Sequence, residues 1–455
     1  MINYVGKLKF YNEEVFYSFD GMILKLYPSN ELAESIIYQD LGNGAKALTS
    51  ERKPLESDIL YGVILENNNR IVFCIHKDNY GFRNVFVAPI ITIPVYEYFL
   101  FSSDRSDDKY TITYCSKEFA RFTGILPKVT NSKEDDLVSS HIEFQRTTEK
   151  LISVFEIDNV KTTICPYWSI NNSKGAELTL GLKLILDSKE VELNVFKKHI
   201  FTLIHLVNFL FYRNDICPNE IKFTSPDGSG TFYSNCHKEY VQEIENTNAI
   251  WRDSIPWAKC YDIIPQLYKK IFIKELYLAH IPDTLDERLV ISIYDIQKIS
   301  SAFENIYNKL YLETPIKKSD KRIKAEINAK ENVEKLISNS TGKEKDIYKC
   351  WLKHIGDITL EDKIKFCLYK FENQLSWIKT KFAPDLTFDF IASICAKNRN
   401  EIDHGDKEIL EDKVANAFGM LRVLVICMQL KECGMLDDNI EISIRNLFSL
   451  KRLGV

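Results

Sequence analysis

The feature that most constrains this chain is a change of hydrophobic period near residue 291. Before it, short runs alternate apolar and polar residues or are rich in β-branched ones, as in LKFYNEEVFYSF, RIVFCIH, YTITYCS, ELTLGLKLIL and IKFTSP. Eleven of the 13 prolines and 11 of the 17 glycines fall in this part, and Asp20-Gly21 and Asp227-Gly228 mark turns. A period of two broken by turn residues predicts a β-rich sheet or sandwich, here interrupted by helical pieces near 196–213 and 262–280. After residue 291 the period becomes helical. Ile293, Ile296, Ile299, Phe303, Ile306 and Leu310 recur at three- and four-residue steps. Leu410, Val414, Ala417, Leu421, Leu424 and Met428 do the same. Such stripes predict amphipathic helices at 317–338, 344–355, 361–381, 385–403, 407–432 and 438–450 besides the first. The expected fold class is therefore α+β: a β-rich domain over 1–290 and an all-α bundle over 291–455.

Charge follows the same division. The chain of 455 residues carries a net charge of −5. Residues 291–455 hold 27 Lys and Arg against 25 Asp and Glu, and residues 1–290 hold 32 against 39. This balance excludes a protein coated in nucleic acid but leaves room for a local nucleic-acid site. The opening residues lack the order of a signal peptide. The most apolar stretches, 85–101 and 201–212, are interrupted or too short to span a bilayer, so a soluble cytoplasmic protein with no membrane partner is expected. Eleven cysteines occur singly without a CxxC, which predicts neither a disulfide framework nor a metal site. Cys236-His237 is expected to be structural, and so are His199 and His205, which occupy an apolar helix. The loop Asp227-Gly-Ser-Gly230 lacks the Lys-Ser/Thr of a phosphate-binding loop. No cofactor is expected.

One segment concentrates chemistry: KNRNEIDHGD, residues 397–406. Arg399 is followed by Asn400, and His404 stands five residues on, before Gly405. Arg70 and His76 have a similar spacing, but they lie in an apparent strand with isoleucine after the arginine. A histidine titrates near neutrality and can pass a proton as general base or acid. An arginine stays charged and can hold two phosphate oxygens at once. That pair suits proton transfer beside a phosphate group.

The arrangement resembles the R-x4-6-H motif of the HEPN superfamily of ribonucleases, with the polar residue after the arginine that the family prefers. The amphipathic helix running into it and the long apolar helix beyond are similar too. The first half, with YSFDGMILKLYP at 17–28, resembles the N-terminal domain of ApeA-type anti-phage proteins, in which a sensor-like domain precedes a C-terminal HEPN domain. The resemblance implies a metal-independent endoribonuclease in anti-phage defence, with Arg399, Asn400 and His404 as its catalytic residues. It also implies RNA as substrate (transfer RNA the leading candidate), a phage-derived trigger sensed by the first domain, and a homodimer in which two motifs face one cleft. The expected ends are a 2′,3′-cyclic phosphate or 3′-phosphate and a 5′-hydroxyl.

Geometry sets a condition on this reading. Five residues on a helix turn about 500°, a net of about 140°, so Arg399 and His404 share a face only if the chain turns back or a second chain completes the site. Glu401 and Asp403 flank the histidine and either orient it or cap a solvated turn. Glu304, on the first bundle helix, either faces the cleft or is merely exposed. The lysines of 317–335 either meet phosphates or form a solvated helix face. The competing reading is a non-catalytic dimeric interaction protein that uses the bundle for assembly. A carbohydrate-directed protein comes third, for want of an identifiable carboxylate pair.

Overall fold

The computed structural model describes residues 3–40, 46–48, 54–85, 88–103, 107–116, 119, 127–134, 137–144, 152–171, 177–216, 220–234, 254–288, 290–318, 320–403 and 410–448. The chain divides into two compact units, Met1–Ile273 and Lys274–Val455.

The first unit is built on one sheet that closes on itself. Strands Tyr4–Phe10, Glu13–Phe19, Ile23–Tyr27, Ile59–Ile64, Arg70–Ile75 and Ala88–Ser103 pair antiparallel in a ring, giving a six-stranded barrel. Closure comes from pairing of Ile71 with Leu100 and Phe73 with Tyr98. The predicted alternation places Val15, Tyr17 and Phe19 inside, with Leu8, Leu24, Ile71, Phe73 and Ile93. Phe19 meets the rings of Phe73 and Tyr98 edge-on, each at 5.0 Å.

The 16-residue strand Ala88–Ser103 is long enough to serve two assemblies. Its Phe99 pairs with Val72 of the barrel on one side and with Phe232 on the other. From that second side the sheet continues through Gly228–Ser234, Glu220–Ser225, Tyr110–Cys115, Glu177–Asp187, Val160–Asn171 and Ser153–Ile157, all antiparallel. The β-rich part expected is thus a closed barrel with a sheet extension. Helix Leu193–Phe211 packs on helix Ile264–Phe272, and its Phe196 ring lies against Phe99, Tyr110 and Phe223.

Two glycines are set by close approach. A Cβ on Gly6 would lie 2.2 Å from the Val63 carbonyl oxygen and 2.5 Å from the Tyr17 ring, and one on Gly230 would lie 2.0 Å from the Leu100 oxygen. Backbone cannot yield as a side-chain tip can. Gly6→Ala is therefore expected to destabilise the β unit by about 1–3 kcal/mol, as overpacking does. In urea, its unfolding midpoint should fall while that of the helical unit stays; an unchanged β-unit midpoint would refute this packing.

The second unit is a helical bundle. Helices Ile293–Tyr311, Leu360–Lys370, Glu372–Phe382, Phe388–Asp403 and Asp437–Leu447 surround Asp412–Glu432 or pack on its neighbours. Asp412–Glu432 buries fourteen residues, among them Val414, Leu421, Leu424 and Met428, and is apolar almost all round because it is enclosed almost all round. It is long and apolar enough to cross a membrane, yet 78% of that window is buried within the protein. Ser292 with Asp295, and Thr359 with Asp362, form reciprocal capping boxes that start two of the helices. The helix expected over 361–381 is broken at Phe371, whose backbone leaves helical geometry (φ −105°, ψ 21°). This bend lets the first piece pack on Phe388–Asp403 and the second on Asp412–Glu432 and Asp437–Leu447.

The division at 273/274 lies earlier than the 290/291 change of period. Residues 277–290 have no helical stripe, but side chains of Asp412–Glu432 hold them to the bundle. Gln429 donates to the Tyr277 carbonyl at 2.9 Å, and Arg422 donates to the carbonyls of Glu287, Arg288 and Val290 at 3.0–3.1 Å. Helices Asp320–Asn339 and Gly342–His354 differ from the rest: they pack on each other, and neither contains a buried residue.

Candidate functional site

Helix Phe388–Asp403 carries the motif. It begins beyond Pro384, with the Thr387 hydroxyl accepting from the Phe390 amide at 3.2 Å. Phe388, Ile391, Ala392, Cys395 and Asn398 form its buried face. Asn398 is held there by a bond from its side-chain amide to the Ile394 carbonyl at 2.8 Å. Each step along a helix turns about 100°, so the next two residues emerge from the core: Arg399 is half-buried and Asn400 exposed.

Arg399 is the centre of a small polar cluster. One guanidinium nitrogen is 3.4 Å from Asn400 Oδ1 and donates to it. Another is 3.6 Å from Glu304 Oε2 on helix Ile293–Tyr311. Glu304 therefore reaches the motif helix while its side chain stays 38% exposed. Glu401 lies 3.6 Å from Lys397 one turn back on the same helix. The backbone is helical through Asp403. His404 and Gly405 lie outside the described residues, as do the side chain of Asp403 and Cys236-His237.

What this arrangement can do follows from its charges. A partly exposed arginine, in contact with a neutral amide and with a carboxylate across a helix pair, can present donors to a phosphate. A phosphate bound there would compete with Glu304 for the guanidinium. Among the described residues, no group of three or more His, Cys, Asp or Glu is placed to hold a metal ion.

The remaining candidates have structural duties. His199 is a satisfied core histidine: its Nδ1 is 2.9 Å from the Tyr268 hydroxyl, and burial pushes its pKa down to about 4. His205 corrects the expectation, for it lies on the exposed face of the same helix, one residue beyond Ile204 of the buried face. Arg70 stacks over the Phe101 ring at 4.5 Å and donates to the Asp227 carbonyl, while the His76 ring is 5.7 Å from that of Tyr96. Pro226 and Asp227 form the turn between two paired strands, Gly228 to Gly230 begin the second of them, and Gly230 is needed for strand approach.

Arg422 was not singled out by sequence, although a lone arginine within LRVLVICMQL is the kind of signal that announces a buried polar contact. It is 1% exposed. Besides the three carbonyls it bonds, its guanidinium lies 3.4 Å from Oδ1 of Asp295, which completes the capping box that Ser292 begins on helix Ile293–Tyr311.

Comparison with known proteins bears on the helical unit. Residues 298–439 match the family model described as Apea-like HEPN. No curated protein and no solved structure matches the chain.

Proposed function

With residues 298–439 forming an Apea-like HEPN domain, we propose that this protein is an anti-phage effector whose helical unit cleaves RNA without a metal. The observation that carries this reading is Arg399 with Asn400. Both emerge together at the end of the motif helix, inside the matched domain and opposite Glu304.

In the proposed reaction His404 takes the proton of a ribose 2′-hydroxyl, and the 2′-oxygen bonds to the adjacent phosphorus. The 5′-oxygen leaves and receives a proton, which yields a 2′,3′-cyclic phosphate and a 5′-hydroxyl. Arg399 neutralises charge building on the phosphoryl oxygens, the role in which preorganised donors contribute most. Asn400 orients either a phosphate oxygen or the guanidinium that it accepts from. One histidine cannot readily deprotonate the attacking oxygen and protonate the leaving one in the same step. A homodimer that brings two motifs to one cleft supplies the second. Unpaired loops reach the in-line geometry that the attack requires, so transfer RNA, with its exposed anticodon loop, is the leading substrate. In this scheme the protein works in the cytoplasm, and the β unit gates the ribonuclease until it meets a phage-derived trigger.

The test is expression of the wild type and of His404→Ala, followed by sequencing of RNA ends and by growth. The wild type should arrest growth and leave new 5′-hydroxyl ends in RNA, with DNA intact. His404→Ala should do neither. If DNA is cut as fast as RNA, attack by the 2′-hydroxyl is excluded. If His404→Ala behaves as the wild type, the helical unit is an assembly module and the interaction-protein reading replaces this one.

A further inference from the structure

Helices Asp320–Asn339 and Gly342–His354 form a hairpin of their own. It adds no residue to the core. Its composition is distinctive, however. Residues 317–354 hold eleven Lys or Arg and six Asp or Glu, a net of +5, so the rest of a chain at −5 stands at −10. Net positive charge is thus concentrated in this hairpin.

At the root of the hairpin lies a groove of about 750 Å³, within the size range of ligand sites. Five cations line it, Lys317, Lys318, Arg322, Lys365 and Lys370, against one carboxylate, Asp362. Three of the cations are fixed in the wall. Lys318 and Arg322 bind Glu326 at 2.8 and 2.9 Å, Arg322 also reaches Asp362, and Lys365 is paired with Asp389. Lys317 and Lys370 are different: both are exposed, and neither has a carboxylate within 4 Å among the described residues. Lys370 rides over the rings of Tyr311 and Phe366 at 4.6 and 5.4 Å. Tyr369, in the same lining, is 47% exposed. A concave wall of fixed ion pairs, two uncompensated ammonium groups and accessible aromatic rings is the equipment for holding phosphates while bases stack.

The groove is also connected to the motif. Asp389, which receives Lys365 and the Tyr369 hydroxyl, begins the helix that ends beside Arg399. Ten residues of helix separate the two, about 15 Å, a distance that a few nucleotides of extended strand would cover.

We propose that this groove, continued by the basic hairpin, binds the phosphates of single-stranded RNA and leads the strand to Arg399. The identity of the polyanion rests on the ribonuclease reading above. The test uses the full chain carrying Arg399→Ala, so that RNA is not consumed, and measures binding of a labelled polyuridine oligomer by fluorescence anisotropy across a salt series. Adding Lys317→Gln and Lys370→Gln should weaken binding about tenfold and reduce the salt slope by about 1.4, the share of two phosphates on a single strand. Lys317→Arg with Lys370→Arg should restore both, since charge and not shape is at issue. Equal affinity and an unchanged slope in the glutamine pair would overturn the proposal. So would binding that depends on these lysines for phosphatidylserine vesicles but not for RNA. The two readings separate in parallel cleavage assays of chains with Arg399 intact. If RNA is cleaved but the slope is unchanged, the groove falls and the ribonuclease stands; if the slope changes but RNA is never cleaved, the reverse holds.

Discussion

Arg399→Ala is expected to slow RNA cleavage about a thousandfold, the scale on which removing a transition-state arginine acts, while leaving the bundle folded. The effect on stability should be small because the side chain is about a third exposed and a carboxylate it contacts, Glu304 at 3.6 Å, is about equally so. Exposed pairs of this kind contribute about 0–1 kcal/mol. The effect should therefore appear in the rate. The charge that Arg399 offsets is largest in the transition state, so kcat should fall far more than KM rises. Arg399→Lys separates charge from geometry: it keeps the cation but loses the planar fork that holds two oxygens, and it should recover at most about a tenth of the wild-type rate. Single-turnover cleavage of a labelled RNA, with matched thermal unfolding of the three proteins, reads all of this. A wild-type rate from Arg399→Ala would remove Arg399 from the mechanism.

Arg399 and Asn400 were legible in the sequence because their signal is local, a short motif at the end of an amphipathic helix. Glu304 was not decidable there. Whether it faces the motif depends on how two helices nearly a hundred residues apart are set against each other. The same distinction runs through the fold. Alternation in LKFYNEEVFYSF identified Val15, Tyr17 and Phe19 as inward residues. Closure of the barrel depends instead on Arg70–Ile75 meeting Ala88–Ser103, and no periodicity carries that information. The bend at Phe371 is hidden for a related reason. LEDKIKFCLYKFENQLSWIKT keeps a helical period without proline or glycine, and the break serves packing against different neighbours on either side. Residues 277–290 were assigned to the β-rich part because they lack a helical stripe. They belong to the bundle through polar contacts from Arg422 and Gln429, more than 130 positions away.

Those contacts carry the largest stability effect to be expected. Arg422→Ala should destabilise the helical unit by about 3–5 kcal/mol, the cost of breaking a buried charge pair from one side. The carbonyl oxygens of Arg288 and Val290 lose the Arg422 donor, that of Glu287 keeps only the Val290 amide, and Asp295 loses a nearby cation. Because Asp295 also closes the capping box with Ser292, the loss should loosen the start of helix Ile293–Tyr311, which carries Glu304 toward Arg399. Two units of different architecture should unfold in separate steps, so a single free energy would mislead. The expected result is a shift of only the helical step to lower urea, by about 1–3 M at the slopes usual for domains of this size. Amide exchange should accelerate first over residues 285–296. Arg422→Lys keeps a cation that can still donate to one or two of the carbonyls, and it should recover part of the loss. Arg422→Met, which fills the space with no donor, should recover less, because the carbonyls and the carboxylate both remain. If methionine instead matches the wild type, packing and not hydrogen bonding holds residues 277–290 to the bundle.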